Sequence, residues 1–135
     1  MSKRQDVFLL EASGTSLGAS GEVAFTVFSP TTDTTKFGTV SVYQITISRS
    51  AGTGATIQPR VLGATGSSNT IDEAWLDTGA PSAVGSVYNK QFPEPGLQVK
   101  CDANGNMYVV PGFDAGADNA CTVRVWFAHG RHVGV

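Results

Sequence analysis

The chain has 135 residues, a formal net charge of -2 and only 15% charged residues, against roughly 25% in average soluble proteins. That length suits one domain with one sizeable core, and the charge leaves no basic footprint for nucleic acid. Lysine is confined to Lys3, Lys36, Lys90 and Lys100, whereas Gly, Thr, Ser and Val abound; long helices need Ala, Leu, Glu and Lys, so the composition points to an all-β protein.

The first predicted strand is "DVFLLEA" (6–12). Its run Val7–Leu10 is apolar on both alternating faces, and a strand apolar on both sides must be covered on both sides. In a sandwich of this size one side is the domain's own core. Either Phe8 with Leu10 or Val7 with Leu9 is therefore expected to meet a neighbouring chain. Residues 1–12 become a candidate interface strand, whose removal should weaken assembly and leave the sandwich folded. The same run is too short for a signal-peptide core of about 7–15 residues. No stretch approaches the roughly 18 apolar residues of a membrane span. The expectation is synthesis in a cytoplasm with no membrane partner.

"GEVAFTVFS" (21–29) places Val23, Phe25 and Val27 on one face, and Pro30 with "TTDTTKFG" makes a polar loop. "TVSVYQITISR" (39–49) alternates Tyr43, Ile45 and Ile47 against Gln44, Thr46 and Ser48. "ATIQPRVLG" (55–63) is interrupted by Pro59, which demotes it to an edge strand or a bulge. "IDEAWLDTG" (71–79) reads as a strand despite its three acids, and "SVYNKQF" as another before "PEPG". Eight or nine short turn-bounded strands, with no helix, repeat or linker, predict one antiparallel β-sandwich spanning 1–135, jelly-roll-like in kind.

The stretch 97–127, "LQVKCDANGNMYVVPGFDAGADNACTVRVWF", concentrates the candidate oxygen ligands. Asn-Gly is the strongest short hairpin signal. With Asn104 and Gly105 at the tip, Ala103 opposes Asn106, Cys101 opposes Tyr108 and Val99 opposes Val110. One face then carries Leu97, Val99, Cys101, Tyr108 and Val110; the other carries Gln98, Lys100, Asp102, Met107 and Val109. A calcium loop is the rival reading. Asp102, Asn104 and Asn106 match its opening, but Met107 stands where Gly belongs and Phe113 where a bidentate Glu belongs. Turn chemistry is the preferred account there and in "PGFDAGADNA".

The final strand, "CTVRVWFAH", sends Cys121, Val123, Val125 and Phe127 to one face and Thr122, Arg124 and Trp126 to the other. Cys101 and Cys121 thus fall on core faces, as buried thiols or as a disulfide. Catalytic groups are missing from the pattern. His129 and His132 offer two zinc ligands where three or four are needed. Asp72 and Glu73 face opposite sides of a strand, and Glu73 and Asp77 lie about 13 Å apart at the usual rise. No nucleophile elbow, Walker loop or dinucleotide fingerprint occurs. The expectation is no enzyme, no metal and no cofactor. Trp126, beside Arg124 on the outward face, suits a protein interface or a sugar-stacking platform, and Trp75 is open to the same readings; a packed residue within the fold or between subunits is preferred for each. Val7, Phe8, Leu9, Leu10, Arg124 and Trp126 form the candidate interface set.

The strand grammar over the whole length, the low charge and the "DANGNMYVVPG…DAGADNACTVRVWF" ending resemble the jelly-roll or β-sandwich decoration (cement) proteins of tailed-bacteriophage capsids. This resemblance implies a virion location and a homo-oligomer, commonly a trimer, that clamps the major capsid protein or another virion protein. Scarcity of Lys and Glu accords with a surface that faces partners, and closed symmetry is the default for such assemblies. A carbohydrate-binding or tail/fibre-associated module is the alternative.

Overall fold

In the computed structural model the described residues are 7–18, 21–27, 38–54, 57–63, 74–75 (backbone only), 84–102, 105–114 and 116–129. Among them the regular structure is all strand: β1 Phe8–Gly14, β2 Val23–Thr26, β3 Thr39–Ala51, β4 Arg60–Leu62, β5 Ala74–Trp75, β6 Val87–Gln91, β7 Leu97–Lys100, β8 Asn106–Val110 and β9 Ala120–His129. They form two antiparallel sheets. The first runs β1-β9-β3-β6, with β7 also paired to β3; the second runs β2-β8-β4-β5. β7 pairs with Thr39–Val42 of β3 and β6 with Gln44–Ser48. These two strands are therefore halves of a single sheet edge, split at Phe92–Gly96. Taken as one position, they give two four-position sheets whose order is that of a jelly roll.

Period-2 alternation explains most of the core. Val23, Phe25 and Val27 of the β2 region, Ile45 and Ile47 of β3, and Cys121, Val123, Val125 and Phe127 of β9 are all buried and belong to one cluster between the sheets. Each such side chain contributes about 1.5–3 kcal/mol relative to exposure. Truncating a fully buried one, as in Ile47→Ala, costs about 2–5 kcal/mol.

Three expectations are corrected. Residues 97–110 do not form the proposed hairpin, because β7 joins the first sheet and β8 the second. Gly105 N–H donates to Asp102 O at 3.0 Å and Asp102 N–H to Asn106 O at 3.0 Å, so Asp102, and not Ala103, faces Asn106. (Ala103 and Asn104 lie outside the described residues.) Gly105 takes φ 77° here, a region that costs glycine nothing. The faces exchange accordingly. Met107 and Val109 share the main core with Val99 and Cys101, while Tyr108 and Val110 pack with Leu62 in a small separate cluster. β8 is an inner strand between β2 and β4 and is apolar from Met107 to Val110, so its alternation carried no phase.

Second, a bulge between Val42 and Gln44 takes Tyr43 out of line with Ile45 and Ile47. It is half-buried, whereas both isoleucines are fully buried. Third, "ATIQPRVLG" is not one strand, and β4 is not an edge. Ile57 makes a lone bridge to Phe113, Gln58 N–H donates to Gly112 O at 3.0 Å, and the ladder restarts after Pro59, which has no N–H to give. Of the expected strand 71–79 the described part is β5. Asp72, Glu73, Asp77 and His132 lie outside the described residues, as does the Trp75 side chain.

Candidate functional site

β1 is a full member of the first sheet. It pairs with β9 through seven consecutive positions, from Phe8 opposite Phe127 to Gly14 opposite Cys121, without a bulge. Leu10 and Ala12 pack on the core. Phe8 lies against Phe127, with ring centroids 5.9 Å apart, and against His129 at 5.1 Å. The either-or left by the sequence is thereby resolved: Phe8 and Leu10 face inward, and Val7 and Leu9 face outward. Val7 is 54% exposed, Leu9 50%, and Phe8 keeps 44% at the rim. Leu10 leaves the interface set because it packs on the domain's own core. For the same reason, deleting residues 1–12 would strip β9 of its neighbour and open the core beneath Leu10 and Ala12. Such a truncation is therefore expected to destabilise the sandwich as well as remove the edge.

No strand lies beyond β1 among the described residues. The other sheet margins differ from it. Among the described residues β5 has two residues and β2 four. The β6/β7 margin is interrupted by Phe92–Gly96, which contains Pro93 and Pro95. Its Lys90 stands opposite Ile45, on the register that turns to the core.

The outer face of the first sheet is ordered in cross-strand rows. Leu9, Trp126, Gln44 and Gln91 form one row; Glu11, Arg124, Thr46 and Asn89 form the next. Arg124 Nε donates to Glu11 Oε2 at 2.6 Å, with both side chains about half exposed. At such exposure the pair contributes no more than about 1 kcal/mol, and it places Arg124 outward beside β1. Gln44 Nε2 donates to Asn89 Oδ1 at 2.9 Å. Next to Trp126 a groove of about 510 Å³ opens, walled by Tyr43, Gln44, Gln91, Phe92 and Pro93 and reaching Val7. Burial first, and then the Glu94 carboxylate, hold the Tyr43 phenol above its ordinary value, so its hydroxyl is neutral. Sequence reasoning found Trp126 and missed the rest of the wall. Gln44 was legible as outward-facing, but the bulge that turns Tyr43 to its side was not. The "QFPEPG" turn carried the only hint of a concave rim.

In the oxygen-rich stretch the Asp102 and Asn119 side chains are tied into the fold by hydrogen bonds, and Asn104 lies outside the described residues. The Asp102 carboxylate accepts the Asn106 N–H at 3.0 Å and the Tyr108 hydroxyl at 2.7 Å. Burial, and then the hydrogen bond to Asp102, raise the Tyr108 phenol. Asn119 is buried and ties three segments together. Its Nδ2 donates to Leu17 O at 3.1 Å, and its Oδ1 accepts Gly54 N–H at 2.9 Å and Arg49 Nη2 at 3.5 Å. Buried Arg49 also donates to the Gly54 carbonyl and lies over the Phe113 ring at 5.5 Å. Among the described residues no group of three or more His, Cys, Asp or Glu side chains is placed to hold a metal ion. His129 Nε2 lies 2.6 Å from Val27 O. Cys101 and Cys121 are free and buried; burial pushes the Cys121 thiol up to about 11, and burial with the nearby Asp102 charge pushes Cys101 up to about 12.

No family model matches the chain, and no curated protein matches it in sequence. Among solved structures, a chain from the X-ray crystal structure of tomato aspermy virus is similar, with 8% identity and a TM-score of 0.40; the match covers 98% of this chain and 83% of that one.

Proposed function

We propose that the protein is a non-enzymatic structural component of a virus particle. In this reading it is a capsid decoration protein of the tailed-phage kind, acting as a homo-oligomer, in trimers as the resemblance implies, and contacting the major capsid protein or another virion protein. The observation that carries the assembly role is β1, a seven-residue strand with no strand beyond it among the described residues and with Val7, Phe8 and Leu9 exposed beside it. An unguarded apolar edge is a template for another chain, and soluble proteins avoid leaving one free. Strand addition would satisfy its backbone groups, and the outward side chains would set the register. Arg124 and Trp126, next to β1 on the outer face, extend the surface.

The test is light-scattering mass and binding to purified particles for the double variant Val7→Lys/Leu9→Lys, with circular dichroism as a folding control. Loss of oligomer and of particle binding with an intact fold is the expected result. A folded variant of unchanged mass and binding overturns the reading. The alternative, a carbohydrate-binding or tail/fibre-associated sandwich, draws on the groove beside Trp126.

A further inference from the structure

The groove on the outer face of the first sheet is distinct from the open edge of β1, although it touches Val7. Its walls are aromatic and amide: Trp126, Tyr43 and Phe92 supply ring surface, and Gln44 and Gln91 supply carboxamides. Among the described residues no ionised side chain lines it, so this lining favours an uncharged occupant. At about 510 Å³ it falls within the roughly 300–1,000 Å³ of small-ligand sites. Its floor is rigid, since Trp126 and Gln44 are cross-strand partners on β9 and β3 and Gln91 is the partner of Gln44 on β6. Much of its hydrogen-bonding capacity is unspent. Gln44 uses Nε2 on Asn89, which leaves Oε1 as an acceptor. The Gln91 carboxamide and the Trp126 indole N–H make no hydrogen bond to any described residue.

We propose that this groove binds a neutral pyranose sugar, stacked on Trp126 and held through its hydroxyls by Gln44 and Gln91. The chemistry of each part matches. A pyranose turns a face of polarised C–H bonds toward the negative face of an aromatic ring. Its equatorial hydroxyls donate and accept in the ring plane, as a carboxamide does with its own donor and acceptor. Because the groove is open and shallow, affinity for a single residue is weak. Repetition along a glycan, or across the copies of an oligomer, raises it by multivalency. The site goes beyond a purely structural role and adds glycan recognition to it.

The experiment is a nitrogen–proton NMR titration of the whole protein with a panel of methyl pyranosides (glucose, galactose, mannose and N-acetylglucosamine), read at the Trp126 indole and the side-chain amides of Gln44 and Gln91. Trp126→Phe assigns the indole signal. The expected result is saturable shifts at all three groups with at least one sugar, weakened about tenfold by Gln91→Ala and lost in Trp126→Ala. Absence of shifts across the panel overturns the proposal. So do shifts that survive both substitutions, or a response confined to a proline-rich peptide run in parallel. Oligomer mass and particle binding of Gln91→Ala, measured alongside, separate the two claims. They stay unchanged if the groove and the assembly edge are independent, and the Leu9→Lys variant tests the edge by itself.

Discussion

The first sheet has two margins built from opposite chemistry. At β6/β7 the edge is broken by Phe92–Gly96, where Pro93 and Pro95 offer no N–H, and Lys90 directs a charge toward the core side. Gly96 completes the break: with φ 81° it lets the chain pass so close to β3 that a Cβ would meet the Val42 carbonyl at 2.9 Å. At β1 the edge is continuous through seven pairs, contains no Pro, Lys or bulge, and exposes Val7, Phe8 and Leu9. Interrupted strands, prolines and inward charges are the means by which proteins keep sheet edges from pairing with other chains. The guarded margin shows that this fold uses such means. Among the described residues β1 lacks them, and the proposed assembly role rests on that contrast.

The largest effect should come from charging the open edge. Leu9→Lys is expected to weaken self-association about a hundredfold, because it removes roughly 1.5–3 kcal/mol of apolar burial and adds the desolvation of an ammonium. Val87→Lys on the guarded margin, where Val87 is 57% exposed, should leave association unchanged. Sedimentation velocity over a concentration series distinguishes the two variants. Equal effects would erase the contrast.

A second expectation uses the thiols, one beside each margin: Cys121 opposite Gly14 of β1, and Cys101 just past the end of β7. Both are raised in the folded state, to about 11 and about 12, against about 8.5 for a free thiol. Above that pH the unfolded chain has lost protons that the folded chain keeps, so stability falls as pH rises from about 8.5 toward 11. Below pH 8 the effect is absent. The limiting slope is about 1.4 kcal/mol per pH unit for each thiol, or about 2.5–3 kcal/mol in total by pH 9.5. Urea melts of the wild type and of Cys121→Ala should show the slope, and its reduction by about half in the variant. A pH-independent midpoint between 8 and 10 would contradict it.

Smaller still is Phe8→Ala. A core Phe→Ala costs about 3–5 kcal/mol, but Phe8 is only about half covered, by Phe127 and His129. A loss of about 1–2 kcal/mol is expected in chemical denaturation. A cost above about 3 kcal/mol would place Phe8 in the core and not at a rim. The smallest effect belongs to Lys90→Val, which removes one guard of several. A modest rise in concentration-dependent light scattering is expected, and none would mean that the prolines and the break suffice.

Much of this fold was legible because most strands have one wet face. β2, β9 and the central part of β3 alternate polar and apolar residues, and their buried sets were readable one by one from Val23 to Phe127. β8 failed because it is apolar on both faces, so a strong turn signal at Asn104-Gly105 decided a register that tertiary pairing then overrode. The candidate interface set was half legible. The apolar run Val7–Leu10 signalled two faces to be covered, but which face turned outward depended on pairing with β9, and that no local pattern states. The groove was less legible again: the bulge at Tyr43 and the turn at Phe92–Pro93 bring residues together from β3, β6 and β9, and their spacing in sequence carries no sign of it.

The central claim is that the free edge of β1 is the assembly surface, and hydrogen–deuterium exchange of the β1 amides in dilute and concentrated protein tests it most directly. The account predicts that amides in Phe8–Gly14 become protected as the oligomer forms, while those of Val87–Gln91 exchange at the same rate throughout. Rapid, concentration-independent exchange along β1, with protection appearing at β6/β7 instead, would contradict it.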